Sequence, residues 1–176
     1  MSHAIDPRFA PGPVHRLLAD DHRRLEALLD RATADPAHVE TAPYDAFRRG
    51  LLKHIGMEEK ILLPAATRAR GGEAFEVAAK LRLDHGAIVS LLVPTPTRAI
   101  VGALRTILAG HDAIEEGPGG LYDECEKALG ETVAEVLERL KAAPDVPVHP
   151  HADGANVMDA ARRALARGGF TGLLGD

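Results

Sequence analysis

The chain has 176 residues, a formal charge of −5, one cysteine and no tryptophan. This length suits one domain with a real core and is short for two. The negative charge and the lack of a Lys/Arg stripe argue against a nucleic-acid partner, and one cysteine excludes a disulfide framework. No segment approaches the roughly 20 apolar residues of a membrane span. Residues 1–13 lack the basic and apolar stretches of a signal peptide, so we expect a cytoplasmic protein that does not bind membranes.

Apolar residues recur at helical spacing in five segments, and a composition rich in Leu, Ala, Glu and Arg favours an all-α fold. We predict helices from Pro13 to about Ala34, Tyr44 to Arg70, Glu73 to Leu92, Arg98 to Glu116, and Leu121 to Ala143. The last segment is either a fifth helix or the fourth resumed after a kink in the GPGG sequence. Pro64 should bend or weaken the second helix rather than abolish it.

Three parts are expected along the chain. Residues 1–13 form an extended lead-in, residues 14–143 form the helical bundle, and residues 144–176 form a Pro-rich tail. The tail reads as an appendage in which MDAARRALARGG could form one short helix.

Four histidines lie near the centres of these amphipathic segments: His22, His54, His85 and His111. Glu58 and Glu115 follow the second and fourth histidine by four residues, which places each pair on one helix face, one turn apart. Imidazole together with carboxylate suits iron, manganese or zinc. Residue counts from the connecting loops bring the candidate ligands to mid-height of the bundle, because short loops force neighbouring helices to be antiparallel.

Each of these elements has an ordinary structural alternative when taken singly. A histidine on an apolar face is more often a hydrogen-bonded core residue, and one His-x-x-x-Glu pair is usually a contact on a helix surface. The combination differs, because six polar groups without partners on buried stripes would cost several kcal/mol. A pair of metal ions would satisfy all six, and the sequence therefore predicts a two-metal site.

Two other classes of metal site can be excluded from the local pattern. Ferritin-like carboxylate proteins need Glu three residues before the ligand histidine on two helices. The residues at those positions are Ala19, Leu51, Arg82 and Leu108. No HExxH sequence occurs either, which removes the zinc-protease interpretation.

The remaining pattern resembles the hemerythrin superfamily, specifically the HHE cation-binding domain, over about Val14 to Ala143. The resemblance rests on the order and spacing of the six residues and on the runs MEEKILLPA and EEGPGGLYD. It implies an antiparallel up-down-up-down four-helix bundle, here with a C-terminal extension, around a non-haem di-iron centre. By that resemblance one iron would be bound by His22 and His54, the other by His85 and His111, and both by Glu58 and Glu115 as bridges. Zinc or manganese could be loaded instead of iron.

The sequence departs from the oxygen-carrying members of this family in helix three, where they have a second histidine. The positions four residues from His85 are Leu81 and Val89. The fourth-helix carboxylate is Glu115, four residues after its histidine, with Glu116 at the fifth position, so either could bridge. The site is thus similar to the version with two histidines per iron found in iron-centre repair proteins and related sensors. Fewer protein ligands leave a more open metal, which favours reaction over reversible carriage.

The expected ligand is a small diatomic molecule, O2 or NO, or peroxide. Whether the chain is an enzyme is left open: it could reduce peroxide or NO, or donate iron for repair of damaged iron centres. A binding module that reports gas or iron status, and a protein that stores or buffers iron, are the alternatives. The sequence identifies no protein partner.

Other polar residues are assigned to the surface or to packing. Asp21 and Asp84 directly precede ligand histidines and are expected to face solvent or cap helices. Tyr44 and Tyr122 could approach the metal ions, but packing in the core is the expectation for both and for Cys125.

The histidines outside the cluster are expected to be solvated. They are His3, His15 and His38, together with His149 and His151 in the tail. An exposed metal-scavenging pair is the lesser interpretation of the last two.

Overall fold

A computed structural model describes residues 10–175, and within that range the chain is all-helical, without strands. The helices are α1 (Pro13–Ala32), α2 (Thr41–Met57), α3 (Leu63–Ala69), α4 (Ala78–Leu91), α5 (Arg98–Glu116), α6 (Leu121–Leu129), α7 (Val133–Lys141) and α8 (Ala155–Gly168). A π-helical turn, Glu58–Leu62, joins α2 to α3, and a 3-10 turn, Gly130–Thr132, joins α6 to α7. His3 and most of the predicted lead-in lie outside the described residues.

The second predicted helix is present and is interrupted by the π-helical turn just before Pro64. Proline has no N–H to donate and its ring crowds the carbonyl group four residues earlier, so an ordinary α-turn is disfavoured there. In the wider turn, the N–H of Leu63 donates to the carbonyl of Glu58, five residues back. The helix begins at Thr41, before the predicted Tyr44, because proline is tolerated in a first helical turn, where Pro43 lies.

The third predicted helix starts five residues late, at Ala78 instead of Glu73. The preceding residues stay irregular, and in them Phe75 is buried beneath the guanidinium group of Arg70, which lies 4.4 Å from the ring centroid. The fourth helix has the predicted bounds. The segment after GPGG forms separate helices, α6 and α7, and α6 packs against α1, α3 and α5.

The apolar core consists of two clusters. One contains the C-terminal halves of α1 and α4, most of α2 and the N-terminal half of α5, with Leu25, Phe47 and Leu104 among its buried residues. The other contains the start of α1, the end of the second helix and α6, with Leu18 and Leu62 among them. In α1 and α4, the predicted metal ligands fall between the residues of these two clusters. The fold therefore places a polar layer between two apolar ones.

The tail is packed against the bundle and is not a loose appendage. Its helix, α8, is present as expected and packs along α4, and Ala161 and Leu165 are buried in the first apolar cluster. The backbone carbonyl of His149 accepts a hydrogen bond from the buried Arg48 at 2.8 Å, and Asp153 accepts hydrogen bonds from the backbone N–H and the hydroxyl group of Thr95. No helix among residues 10–175 is long and apolar enough to cross a membrane.

The packing of α8 predicts that Leu165→Ala lowers the free energy of unfolding by about 2–5 kcal/mol, since it leaves a cavity in the core. Leu83→Ala, at a position on α4 that is 42% exposed, is the control and should change it by less than about 0.5 kcal/mol. Urea unfolding at equal metal content measures both. Equal stability of the two variants would contradict the packing of the tail.

Candidate metal centre

The structure brings all six predicted ligands together in the polar layer. Their exposed fractions run from 0% for Glu58 and Glu115 to 8% for His22. They come from four helices and the π-helical turn, and each histidine directs its Nε2 atom toward one of the two glutamates. The burial and convergence of these polar groups match what the sequence predicts.

The six residues form two groups whose potential ligand atoms lie within 4.8 Å of one another. One group contains His22 and His54, the other contains His85 and His111, and both glutamates belong to each group. Glu115 is therefore the fourth-helix carboxylate common to both groups, whereas Glu116 belongs to a further group with His22 and Asp112.

Each shared glutamate divides its two oxygens between the groups. Glu58 directs Oε1 to His54 Nε2 at 3.3 Å and Oε2 to His85 Nε2 at 3.2 Å. Glu115 directs Oε2 to His22 Nε2 at 3.6 Å and Oε1 to His111 Nε2 at 3.0 Å. Within the described residues, Glu58 Oε2 and Glu115 Oε1 are buried without a hydrogen-bond partner. Buried carboxylate oxygens without donors are costly, and they fit a centre that holds cations.

Each of the four imidazoles also contacts a carboxylate from another helix through its second nitrogen, Nδ1. The pairs are His22 with Glu116 at 2.6 Å, His54 with Asp21 at 2.9 Å, His85 with Glu59 at 2.9 Å and His111 with Asp84 at 3.4 Å. A carboxylate at Nδ1 holds the proton there and leaves the Nε2 lone pair free for a metal.

These four carboxylates form a closed ring around the bundle, which we call the carboxylate ring: Asp21, Glu59, Asp84 and Glu116. Each member is the sequence neighbour of a predicted ligand on its own helix and contacts the histidine of another helix. The contacts run from α1 to α2, from the π-helical turn to α4, from α4 to α5, and from α5 back to α1.

The assignment of Asp21 and Asp84 to solvent or capping positions is therefore wrong. Their side chains cannot share the face of their own histidines, because adjacent residues project from a helix in different directions. This difference in direction places each of them against the neighbouring helix. Asp84 is 1% exposed and also binds Lys80, and Asp21 also accepts from Arg24. Glu59 and Glu116 were missed as imidazole partners, although an acidic residue stands next to a predicted ligand in all four helices.

Tyr122 packs in the second apolar cluster, as expected, and its hydroxyl group also reaches the centre. This oxygen lies 2.5 Å from Glu58 Oε1 and 3.0 Å from Glu115 Oε2. It lies 3.3 Å from His22 Nε2 and 3.4 Å from His54 Nε2. An isolated tyrosine near the start of a helix gives no sequence signal for this position.

The other packing predictions hold. Tyr44 is fully buried beside Phe47, with ring centroids 5.9 Å apart. Cys125 is also fully buried, and burial raises the pKa of its thiol to about 12.

The expectation for His15 is wrong and the one for His38 is confirmed. His15 is only 7% exposed, because its ring packs edge-on to Tyr122 and its Nδ1 contacts Asp123 at 2.7 Å. His38 is exposed. Among the described residues, neither tail histidine belongs to a group of potential metal ligands.

The buried carboxylates of the centre favour positive charge on the groups around them. Burial opposes protonation of His54, but Glu58, Asp21 and Glu115 outweigh it and raise its pKa to about 10. Burial likewise opposes protonation of His111, and Asp84 and Glu115 raise its pKa to about 10. Protons on imidazole thus balance the buried carboxylates in the metal-free protein, and metal ions would replace them.

The two glutamates differ from one another. Burial favours the neutral form of Glu58, but His54 and His85 hold its pKa well below its usual range. Burial and the negative charge of Glu58 raise the pKa of Glu115.

A comparison with known protein families agrees with this geometry. The model of the hemerythrin HHE cation-binding domain matches residues 14–139, which include every residue of the two groups. No curated protein and no solved structure matches the chain. With a match over most of its length and a buried His/Glu cluster suited to cations, this chain belongs to the hemerythrin HHE cation-binding family.

Proposed function

We propose that this protein holds two iron ions and reacts with O2, NO or peroxide. His22 and His54 bind one ion, His85 and His111 bind the other, and Glu58 and Glu115 bridge them. The helices around this centre are proposed to run in antiparallel up-down-up-down order. When bound, the iron pair supplies exchange of electrons with a small oxidant.

This proposal rests on one observation: each of the two buried glutamates faces both imidazole pairs. One buried carboxylate could be balanced by a single protonated histidine. Two carboxylates that each face both pairs, with two oxygens left without donors, are better balanced by two cations.

The residues of the chain have three tasks in this function. The carboxylate ring orients the imidazoles, the two glutamates keep the metal ions adjacent, and the apolar clusters above and below exclude bulk water. Such a buried centre admits only a small molecule. It also favours a retained metal pair over a labile iron store.

The residue at position 81 favours a reaction with O2 over reversible O2 binding. Leu81 lies one helical turn before His85 and is 1% exposed, so it faces the interior, whereas Val89 is 37% exposed. An apolar side chain at the inward position supplies no further imidazole. The second metal then keeps a position open for an exogenous molecule.

The first test is metal content. Glu58→Gln and Glu115→Gln each remove a charge that both metal ions share, and each should reduce the content from two ions per chain to one or fewer. Asp20→Asn, on the exposed face of α1, is the control and should keep two. Elemental analysis after anaerobic loading with Fe(II) measures this. Full content in both glutamate variants would refute the bridging assignment.

The raised histidine pKa values predict how the stability of the metal-free protein depends on pH. His54 and His111 have an ordinary pKa of 6.5 that folding raises to about 10. Their stabilisation is complete below pH 6.5 and is lost as the pH rises toward 10. The melting temperature should fall across this window. His54→Gln should make this decline shallower. Part of the decline should remain, because the Cys125 thiol still loses its own contribution to stability as the pH rises. A constant melting temperature in the unmodified protein would contradict the charge pairing.

The inward position 81 predicts the reaction with oxygen. The Fe(II)-loaded protein should oxidise in air and should not release O2 again when the oxygen pressure is lowered. Leu81→His should slow oxidation about 10-fold or more by filling the open position, whereas the exposed Val89→His should leave the rate unchanged. Stopped-flow absorbance measures both. Reversible release of O2 would identify a carrier.

A further inference from the structure

The two halves of the centre differ in one side chain. The half built from His22 and His54 contains the Tyr122 hydroxyl group, in contact with one atom from each member of the group. Among the described residues, no hydroxyl group contacts His85 or His111 through Nε2.

We propose that Tyr122 is a ligand of the metal ion held by His22 and His54, which it binds through its phenolate oxygen. This inference rests on the proposed two-metal function. It gives the first metal five protein ligands, of three chemical kinds, and the second metal four.

The distances around the hydroxyl group carry the proposal. Its oxygen lies 2.5, 3.0, 3.3 and 3.4 Å from Glu58, Glu115, His22 and His54. Bonds of about 2.1 Å from a metal to nitrogen and oxygen separate adjacent ligands of an octahedron by about 3 Å. Each octahedral ligand has four such neighbours. The Tyr122 oxygen stands at this separation from the four other donors.

Hydrogen bonding alone accounts for only part of this arrangement. The phenol has one proton, and Glu58 Oε1 at 2.5 Å is the acceptor that takes it. Metal binding requires neutral imidazoles. In the metal-bound state the protons of His22 and His54 would lie on Nδ1, toward Glu116 and Asp21, so both Nε2 lone pairs would face the phenol oxygen. A cation shared with that oxygen removes the repulsion between lone pairs.

The GPGG turn supplies the local backbone that returns the chain to the centre. The N–H of Gly120 donates to the carbonyl of Gly117 at 2.7 Å. A Cβ atom on Gly120 would lie 2.6–2.8 Å from the carbonyl oxygens of Ile114, Glu115 and Gly117, so the turn is this tight only with glycine. The turn brings the Tyr122 side chain back against Glu115, only seven residues after it.

Ligation replaces the phenolic proton with the metal. The O–H bond breaks, its electron pair forms the oxygen–metal bond, and the proton is released to solvent. No oxidant or reductant is needed for this exchange.

Visible absorption and resonance Raman spectra of the Fe(III)-loaded protein test the assignment. Phenolate bound to Fe(III) gives a charge-transfer band in the visible range, and excitation in that band enhances tyrosinate ring vibrations. We expect both signals in the unmodified protein and their complete loss in Tyr122→Phe, with two iron ions still bound. Tyr44→Phe is the matched control, because the chain has only these two tyrosines and Tyr44 is buried beside Phe47. It should keep both signals.

The outcomes separate this inference from the proposed function. Two iron ions without tyrosinate vibrations in the unmodified protein would overturn the ligation by Tyr122 and leave the two-metal function intact. Failure of the unmodified protein to bind an iron pair would overturn both. Should Tyr122→Phe fail to fold, the Raman spectra of the unmodified protein and of Tyr44→Phe still decide the question.

Discussion

Two fully buried carboxylates, Glu58 and Glu115, are the constraint on which the rest of the structure depends. An unpaired buried charge costs several kcal/mol, so the fold must supply positive charge within reach of both. Without metal, protons on the histidines provide it, which accounts for the raised pKa values of His54 and His111. Bound metal ions would take the place of these protons, with the imidazole nitrogens as proposed ligands. One arrangement of side chains thus serves both states, and exchange of protons for metal ions links metal binding to pH.

The carboxylate ring makes this arrangement rigid. A histidine held only by its own helix could turn its ring. Each imidazole here is fixed at Nδ1 by a carboxylate from a different helix, which fixes the direction of Nε2 as well. The ring also connects α1, α2 with its π-helical turn, α4 and α5 to one another at the level of the centre. The same contacts therefore set the packing of these helices and the orientation of the imidazoles.

Much of the fold and all six proposed ligands follow from spacing within single helices. Apolar periodicity gave four helices within a few residues of their bounds, and the four-residue separation placed Glu58 on the face of His54. The helix of the tail was also expected. Its packing into the core was not, because its apolar stripe does not say which helix it meets.

The parts that sequence reasoning missed are contacts between helices. Asp21 points away from the ligand face of α1, and only the position of α2 shows that His54 lies there. The position of the Tyr122 hydroxyl group depends on a tight glycine turn, and residue spacing alone does not predict the direction in which that turn sends the chain. The π-helical turn reflects a local conflict between Pro64 and the preceding carbonyl group, which the sequence predicts only as a bend or a weakening of the helix. The contacts of Asp21 and Tyr122 depend on the relative rotation of two helices.

The central claim is that shared buried carboxylates hold two metal ions side by side. Anomalous diffraction at the iron edge from crystals of the iron-loaded protein tests it most directly. The account predicts two peaks per chain about 3.5 Å apart, one beside His22 and His54 and one beside His85 and His111, with Glu58 and Glu115 contacting both. A single peak, or iron bound outside the polar layer with the six side chains unchanged, would contradict it.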